Sequence, residues 1–283
     1  MPLEIIPDAR EMRVRMQDCR RDGKKIVFVP TMGYLHAGHV SLLEEGRRRG
    51  DVLVLSIFVN PTQFGPNEDL SKYPRDMDGD LAKARGAGTD FAFTPHASTF
   101  YPPGYQTWVQ VRELSQGLCG DKRPGHFDGV ASVVTKLFHV VDPHVAIFGE
   151  KDFQQLAVIR RMVRDLDFDI EVVGMPTVRE SDGLAMSSRN AYLSPDERQQ
   201  GLTLSRALAA AQASVAAGEK NATKLLEAAR AEIATAKDAR IDYLELRDPD
   251  SLQLVETITG PTLFALAVFV GKTRLIDNRV LRS

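Results

Sequence analysis

Two histidines near the N-terminus, His36 and His39, are the residues whose type and spacing most favour chemistry. They follow an apolar run, residues 26–29, and open an amphipathic stretch that ends at Arg49. A turn between a strand and a helix binds anions, because unpaired backbone N–H groups and the positive end of the helix dipole point into it. Both imidazoles share one face of the first helical turn, where each can donate to a phosphoryl oxygen. Gly38 lets a nucleotide approach the backbone, so the segment favours binding of a nucleoside triphosphate.

This spacing alone also fits a capped, solvated helix start. The segment is not a Walker loop, because His39 and Val40 stand where Lys and Ser or Thr are required. Its glycines do not fit the Gly-x-Gly-x-x-Gly dinucleotide pattern either. Two segments farther along the chain support the nucleotide interpretation.

The first of these segments is Gly149-Glu150-Lys151-Asp152, which follows the apolar run 145–148 and opens a helical pattern. Ligands of open α/β sheets bind at the carboxyl ends of strands. Lys151 would bring a positive charge to phosphates, and Asp152 could cap the helix or bind ribose hydroxyls. A capped helix with solvated charges is the alternative interpretation.

The second segment, residues 179–190, contains Met186-Ser187-Ser188-Arg189 in the predicted inter-domain hinge region. Two hydroxyls followed by a guanidinium suit phosphate binding, and Gly183 would give the segment mobility. A polar linker is the alternative, but clefts between domains are common ligand sites.

Other loops are candidates for the second substrate and for a metal ion. Gln63 follows the second predicted strand and would point into the ligand crevice, and residues 65–75 suit a mobile lid. Arg123 could meet an anionic substrate or phosphate. The carboxylates of Asp76, Asp78 and Asp80 could approach Mg²⁺, although a solvated helix start fits them better.

Strand and helix patterns alternate as far as residue 174, which predicts an α/β fold with a Rossmann-like, doubly wound parallel sheet. The predicted strands are 26–29, 52–59, 90–93, 145–148 and 170–173. The predicted helices are 39–49, 130–141 and 153–164, and residues 80–85 are predicted to be the end of a further helix. Predicted helices 195–217 and 222–237 are followed by strands 241–246, 263–270 and 273–277, which suggests a smaller C-terminal α+β domain. We therefore expect a domain of residues 1–175 and a second domain of residues 176–283.

Composition excludes several classes of protein. The 283 residues carry a formal net charge of −2, which argues against a nucleic-acid binder or a protein of anionic membrane surfaces. No apolar run is long enough to span a bilayer, and the N-terminus lacks the pattern of a signal peptide. Cys19 and Cys119 form no disulfide framework, so we expect a cytoplasmic protein. The alternating residues 107–111 suggest an exposed edge strand, and because an edge strand can pair with a second subunit, we expect a homodimer.

Taken together, these motifs resemble known enzymes. His36 to His39 with Met186-Ser187-Ser188-Arg189 is similar to the nucleotidyltransferase superfamily that includes class I aminoacyl-tRNA synthetases. Within it, residues 30–33, 60–64, 73–76, 149–152 and 182–190 resemble the pantothenate synthetase (pantoate–β-alanine ligase) family. The matching motifs extend from residue 30 to residue 193, in the right order.

The resemblance implies a two-step reaction. The carboxylate of (R)-pantoate attacks the α-phosphate of ATP, which gives pantoyl adenylate and pyrophosphate, with Mg²⁺ assisting on the phosphates. The amine of β-alanine then attacks the acyl carbon, AMP departs as the leaving group, and pantothenate is the product. Three rival functions remain open: transfer of AMP or CMP to a phosphate-bearing substrate, tRNA charging by a fragment, and nucleotide sensing without catalysis.

The resemblance also implies residue roles. His36, His39 and Lys151 would be catalytic, with His39 as proton donor. Gln63 and Gln155 would bind pantoate, Gln63 would also bind β-alanine, and the smaller domain would close over the ATP site. ATP binding is assigned to Met32, Gly33, Tyr34, Leu35, His36, Ala37, Gly38, His39, Gly149, Glu150, Lys151, Asp152, Val178, Met186, Ser187, Ser188 and Arg189.

Overall fold

The computed structural model describes residues 2–66 and 68–282 of the chain. These residues form two compact units, each described separately below. Unit 1 comprises the chain up to Ser115 with Arg123–Glu150 and Gln155–Pro176, and unit 2 comprises Gln116–Lys122, Lys151–Gln154 and the chain from Thr177 onward. Because two short segments that precede residue 175 group with unit 2, the simpler division at that residue stays a prediction.

The secondary structure of the described residues follows the alternation that the sequence predicts. The strands are β1 (Glu4–Ile6), β2 (Ile26–Thr31), β3 (Val52–Ile57), β4 (Phe91–Phe93), β5 (Val145–Gly149), β6 (Glu171–Met175), β7 (Ala239–Arg247), β8 (Thr262–Val270) and β9 (Thr273–Leu281). The α-helices are α1 (Ala9–Arg21), α2 (Ala37–Arg49), α3 (Met77–Gly86), α4 (Ala97–Phe100), α5 (Leu118–Lys122), α6 (His126–Val141), α7 (Phe153–Asp165), α8 (Pro195–Ala216) and α9 (Ala222–Ile233). Short 3₁₀ turns span Pro61–Gln63, Glu150–Asp152 and Ser188–Tyr192.

Unit 1 contains a parallel sheet with the strand order β1-β4-β3-β2-β5-β6. The strand order changes direction between β2 and β5, and this is the position where open α/β sheets bind ligands at the carboxyl ends of their strands. The segment that carries His36 and His39 follows β2, and Gly149 ends β5. The predicted Rossmann-like sheet is confirmed, and its topology explains why these two motifs are placed where they are.

Helices cover both faces of the sheet at β2. Val27 and Val29 pack with Leu43 of α2 in one apolar cluster. The side chain between them, Phe28, points to the other face, where its ring meets that of Phe138 in α6 at 6.4 Å between centroids. Burial of both faces explains why the central strands are almost continuously apolar.

Unit 2 contains the antiparallel sheet β7-β8-β9, which packs with α8 and α9. Alternate residues of β8, Phe264, Leu266 and Val268, lie in the core that the sheet shares with these helices. Helix α8 starts at a capping box in which the Ser194 side chain accepts from the backbone of Glu197 and the Glu197 carboxylate accepts from the backbone of Ser194. The predicted smaller α+β domain is confirmed as a fold.

In unit 1, strand β1, the helices α1 and α4, and residues 107–111 differ from the sequence-based expectation. Strand β1 and helix α1 were not predicted, because β1 has only three residues and α1 is mostly charged. Residues 107–111 form no strand: the ring of Trp108 packs on that of Tyr105, and the N–H of Val109 donates to the hydroxyl of Ser132 at 2.9 Å. The argument for a homodimer from an exposed edge strand is therefore lost.

Candidate active site

The two histidines form the N-terminal cap of α2 with their own side chains. His36 is the N-cap residue, and its Nδ1 accepts from the N–H of Gly38 at 3.2 Å. The Nδ1 of His39 accepts from the N–H of His36 at 3.3 Å, and the two rings lie 4.1 Å apart. An imidazole that accepts through Nδ1 carries its proton on Nε2 when neutral. The cap therefore places the proton of each neutral ring on Nε2, and an N–H of this kind can donate to an anion at the helix terminus.

The turn before this cap is fixed by Asp80 of α3. Its carboxylate, which is almost fully buried, accepts from the N–H of Tyr34 at 2.7 Å and from the N–H of Leu35 at 2.6 Å. Tyr34 and Gly33 both have positive φ, 51° and 83°, and a Cβ on Gly33 would lie 2.9 Å from the Asp80 carboxylate. Burial raises the pKa of Asp80, against the lowering effect of the two N–H groups.

This contact corrects the expectation for the acidic start of α3. Asp76 caps the helix by accepting from the N–H of Gly79 at 3.0 Å, and Asp76 and Asp78 are exposed as a solvated helix start should be. Asp80 is the exception, because it points into the protein and binds the turn that precedes His36. Within residues 2–66 and 68–282, no group of three His, Cys, Asp or Glu side chains is arranged to bind a metal ion.

Gln63 lies in the 3₁₀ turn after β3, and its side chain is buried against Met32. Its Nε2 donates to Sδ of Met32 at 3.2 Å, and its Oε1 accepts from Nδ2 of Asn60 at 3.1 Å. The structure therefore brings a predicted pantoate-binding residue into contact with a predicted ATP-binding residue. On α6, a Cβ at Gly129 would overlap the backbone of Thr62, so only glycine lets the turn pack this closely.

Arg123, predicted to meet an anion, binds the carboxylate of Glu68 instead. The guanidinium donates to both oxygens, at 2.7 and 2.6 Å, and this ion pair lowers the pKa of Glu68 against the effect of its burial. Arg123 also donates to the carbonyl of Gln63 at 3.3 Å, and the Nδ1 of His126 lies 2.9 Å from the same oxygen. The predicted lid segment is thus joined through Glu68 to the turn that carries Gln63.

In unit 2, residues 178–186 form a tight hairpin and not an extended linker. Arg179 pairs with Ala185, and the N–H of Met186 donates to the carbonyl of Val178 at 3.0 Å. Gly183, with a φ of 98°, forms the turn and reverses the chain. The mobility that we expected of it stays a prediction. The Arg198 guanidinium donates to Glu180 at 2.6 Å and holds the pKa of that carboxyl below its usual value.

The hydroxyl and guanidinium residues follow this hairpin in a 3₁₀ turn. Ser187 caps the turn by accepting from the N–H of Arg189 at 3.2 Å, and Ser188 is buried. Asn190 donates to Glu180 at 2.7 Å and to the carbonyl of Ala185 at 3.1 Å. The predicted phosphate-binding residues therefore belong to one hydrogen-bonded segment of unit 2.

Strand β9 connects this segment to the turn of Lys151, and no pattern in the sequence indicated that it would. Asp277, which is buried, accepts from both terminal nitrogens of Arg179 at 2.6 and 2.9 Å. The adjacent Asn278 donates to the carbonyl of Lys151 at 2.8 Å. Two neighbouring residues of β9 thus bind the two predicted nucleotide segments of unit 2.

Two glutamines follow Lys151 at the start of α7, and they have different environments. Gln154 is buried in unit 2, where it donates to the carbonyls of Gln116 and Gly117 and accepts from the N–H of Cys119. Gln155, the predicted pantoate-binding residue, is half-buried and belongs to unit 1.

Comparison with known proteins places the chain in a family. Residues 4–280 match the sequence model of pantoate–β-alanine ligase. The chain belongs to the pantoate–β-alanine ligase family. As a member of this family, it is an enzyme that joins pantoate to β-alanine.

Curated relatives and solved structures agree with this membership. Pantothenate synthetases of Desulfatibacillum aliphaticivorans and Pelobacter propionicus are 60% and 58% identical to it over 279 residues, covering 99% of this chain and 99% and 98% of those proteins. The crystal structure of pantothenate synthetase from Thermus thermophilus is 44% identical, with a TM-score of 0.94, and covers 99% of this chain and 100% of that one. The Francisella tularensis ligase, complexed with β-γ ATP and β-alanine, is 30% identical, with a TM-score of 0.79 and coverage of 98% and 97%.

We predict that Asp80→Asn weakens ATP binding by about tenfold, because an amide oxygen can accept while its NH₂ group opposes the second N–H donor. Isothermal titration calorimetry with ATP measures the effect. Asp76→Asn is the matched control on the same helix and should stay within about twofold of the unmodified protein, since Asn caps helices as well as Asp does. An unchanged affinity in Asp80→Asn would contradict the role assigned to this carboxylate.

Proposed function

We propose that this ligase uses ATP and works through a pantoyl adenylate. The proposal is carried by the cap of α2, in which His36 and His39 both accept through Nδ1, so that each neutral ring carries its donor N–H at Nε2. These donors follow β2 at the point where the sheet changes direction, which is the usual place for a phosphate in this fold. The related Francisella enzyme, whose crystal structure is a complex with β-γ ATP and β-alanine, supports ATP as the nucleotide.

The first step forms a bond between the pantoate carboxylate and the α-phosphorus, and the bond from that phosphorus to the pyrophosphate oxygen breaks. Negative charge grows on the oxygens of pyrophosphate as it leaves, so donors placed before the reaction provide most of the stabilisation. In the second step the β-alanine nitrogen bonds to the acyl carbon, AMP leaves, and the amine gives up a proton to yield the amide.

We assign the predicted site residues to this reaction. His36, His39 and Lys151 would stabilise the phosphates as catalytic donors, with His39 as proton donor, while Gln63 and Gln155 would bind pantoate and Gln63 would also face β-alanine. The remaining residues proposed to contact ATP are Met32, Gly33, Tyr34, Leu35, Ala37, Gly38, Gly149, Glu150, Asp152, Val178, Met186, Ser187, Ser188 and Arg189. We also propose that the C-terminal residues 176–283 close over the bound nucleotide.

We also propose that Mg²⁺ binds together with ATP. The described residues contain no three-residue cluster that could bind it alone, and Mg²⁺ in proteins commonly keeps waters and binds substrate phosphates with few protein ligands. When bound, the ion would neutralise charge on the phosphates. We therefore place it with the substrate, as MgATP, and assign no resident metal site.

Exchange of labelled pyrophosphate into ATP tests the adenylate directly. We expect exchange that requires pantoate and proceeds without β-alanine, because only the first step has to reverse. Exchange that does not depend on pantoate, or that occurs only after β-alanine is added, would refute the proposed intermediate. An enzyme that transfers AMP to a phosphate-bearing substrate, or a nucleotide sensor, would give no pantoate-dependent exchange.

Removing a phosphate donor should slow the first step. We predict that His39→Ala and Lys151→Ala each reduce the single-turnover rate of adenylate formation by about 10²-fold or more, as loss of a transition-state donor typically does. His39→Asn separates two effects, because its side-chain oxygen can replace Nδ1 in the cap without supplying Nε2–H. It should be as slow as His39→Ala, and His96→Ala, at an exposed histidine, should leave the rate unchanged. A normal rate in His39→Asn would reduce the role of His39 to capping.

Gln63→Ala should affect the two first-step substrates differently. We expect the KM for pantoate to rise by about tenfold or more, because a buried hydrogen-bonding side chain is lost, and the KM for ATP to change much less. Steady-state kinetics with each substrate varied in turn measures both values. Gln110→Ala, an exposed glutamine of the same unit, is the control. Equal effects on both constants would remove Gln63 from the pantoate site.

Two broader expectations remain part of the proposal. Within the described residues, the structure contains no helix that is long and apolar enough to cross a membrane. We propose that the enzyme works in the cytoplasm on small molecules, without nucleic acid, and that it forms a homodimer. The aromatic surface at Trp108, which is 52% exposed, is compatible with a partner subunit. Sedimentation equilibrium would give the mass of the particle.

A further inference from the structure

Asn60 occupies a fully buried position between β3 and the 3₁₀ turn, and its side-chain oxygen is surrounded by donors. The hydroxyl of Tyr101 donates to Oδ1 at 3.0 Å, the hydroxyl of Thr62 at 2.9 Å, and the N–H of Thr62 at 3.4 Å. The amide group of Asn60 donates at its other end, to the carbonyl of Gly129 at 3.2 Å. Rotating the amide by 180° would place donor against donor at Thr62 and acceptor against acceptor at Gly129. Its orientation is therefore determined.

The orientation of Asn60 sets the orientation of Gln63. Nδ2 of Asn60 donates to Oε1 of Gln63, which makes that oxygen an occupied acceptor. The Nε2 group of Gln63 must then point away from Asn60, where one N–H reaches only the weak acceptor Sδ of Met32. A substrate that meets this side chain therefore meets N–H donors, which suit the carboxylate and hydroxyl oxygens of pantoate.

Tyr101 is well placed to act on this pair because its ring is itself fixed. The ammonium of Lys136 lies over the rings of Phe100, Tyr101 and Tyr105, at 4.8, 5.5 and 4.7 Å from their centroids. The ring of Tyr101 also packs edge-on against those of Phe100 and Tyr105. Burial raises the pKa of Tyr101 to about 12, so its hydroxyl stays a donor at every pH where the enzyme would work.

We propose that Tyr101 is a positioning residue for pantoate: its hydroxyl fixes the amide of Asn60, and Asn60 turns the N–H groups of Gln63 toward the oxygens of the substrate. This inference rests on the proposed assignment of pantoate to Gln63. Tyr101 lies 38 residues after Gln63 in the sequence, and its hydroxyl is linked to the Gln63 side chain through the amide of Asn60.

Tyr101→Phe tests the inference by removing only the hydroxyl and keeping the ring under Lys136. We expect the KM for pantoate to rise by about three- to tenfold, since one of three donors to Asn60 is lost, while kcat and the KM for ATP stay within about twofold. The matched control is Tyr105→Phe, which also removes a hydroxyl from a ring beneath Lys136, and it should leave all three constants unchanged. A merely structural role for Tyr101 would change kcat and both KM values together, and that result would overturn the inference.

The double variant separates this inference from the proposed function. In the Gln63→Ala background, Tyr101→Phe should have no further effect on the KM for pantoate, because the group that it positions is gone. Additive effects would overturn the inference and leave the assignment of Gln63 intact. If Gln63→Ala alone kept the KM for pantoate of the unmodified enzyme, both the assignment and the inference would fail.

Discussion

The carboxylate of Asp80, accepting from two successive backbone N–H groups, is the contact on which the histidine segment depends. Gly33 and Tyr34 both have positive φ, and a non-glycine residue such as Tyr34 adopts this conformation only where its surroundings compensate for the strain. The two hydrogen bonds from Tyr34 and Leu35 provide that compensation. Without these two hydrogen bonds, nothing would offset the strain of the sharp turn between the end of β2 and the cap of α2.

The buried amide of Asn60 likewise fixes the 3₁₀ turn Pro61–Gln63. Both the oxygen and the NH₂ group of the Asn60 amide form hydrogen bonds. Exchanging the two by rotation would place donor against donor at Thr62 and acceptor against acceptor at Gly129. A buried polar network is costly unless every member is satisfied, but a satisfied one specifies a single arrangement. The turn also packs directly onto α6, because Gly129 has no side chain there. Gln63 is consequently placed by both polar and steric contacts.

The sequence predicted the elements whose pattern is local. Residues 52–59 read as a buried strand because neighbouring positions are apolar, and β3 (Val52–Ile57) confirms it. Helix α1 was missed because most of its residues are charged, although its buried residues, Met12, Met16 and Cys19, are spaced at helical intervals. That spacing was the available signal, and it would have identified the helix.

The contacts that hold the proposed site residues in place could not be predicted from local sequence patterns. Asp80 looks like Asp76 and Asp78 in the sequence, and only the fold reveals that it binds residues 45 and 46 positions earlier. Asp277 and Asn278 on β9 are similar cases, because their partners Arg179 and Lys151 lie 98 and 127 positions away. The residues proposed to bind the nucleotide lie in short sequence motifs. The residues that hold those motifs in place come from distant parts of the chain.

Under the proposed function, each unit fixes the segments that carry its phosphate donors through hydrogen bonds of its own. In unit 1 the cap of α2 assigns the protons of His36 and His39 to Nε2, and in unit 2 β9 binds the turn of Lys151 and the hairpin before Ser187. Donors that are already oriented cost no reorganisation when charge develops on a leaving pyrophosphate, and for that reason they are worth more than the same groups free in water. Under the proposed function, the hydrogen bonds that fix these segments would contribute to the rate through the groups that they orient.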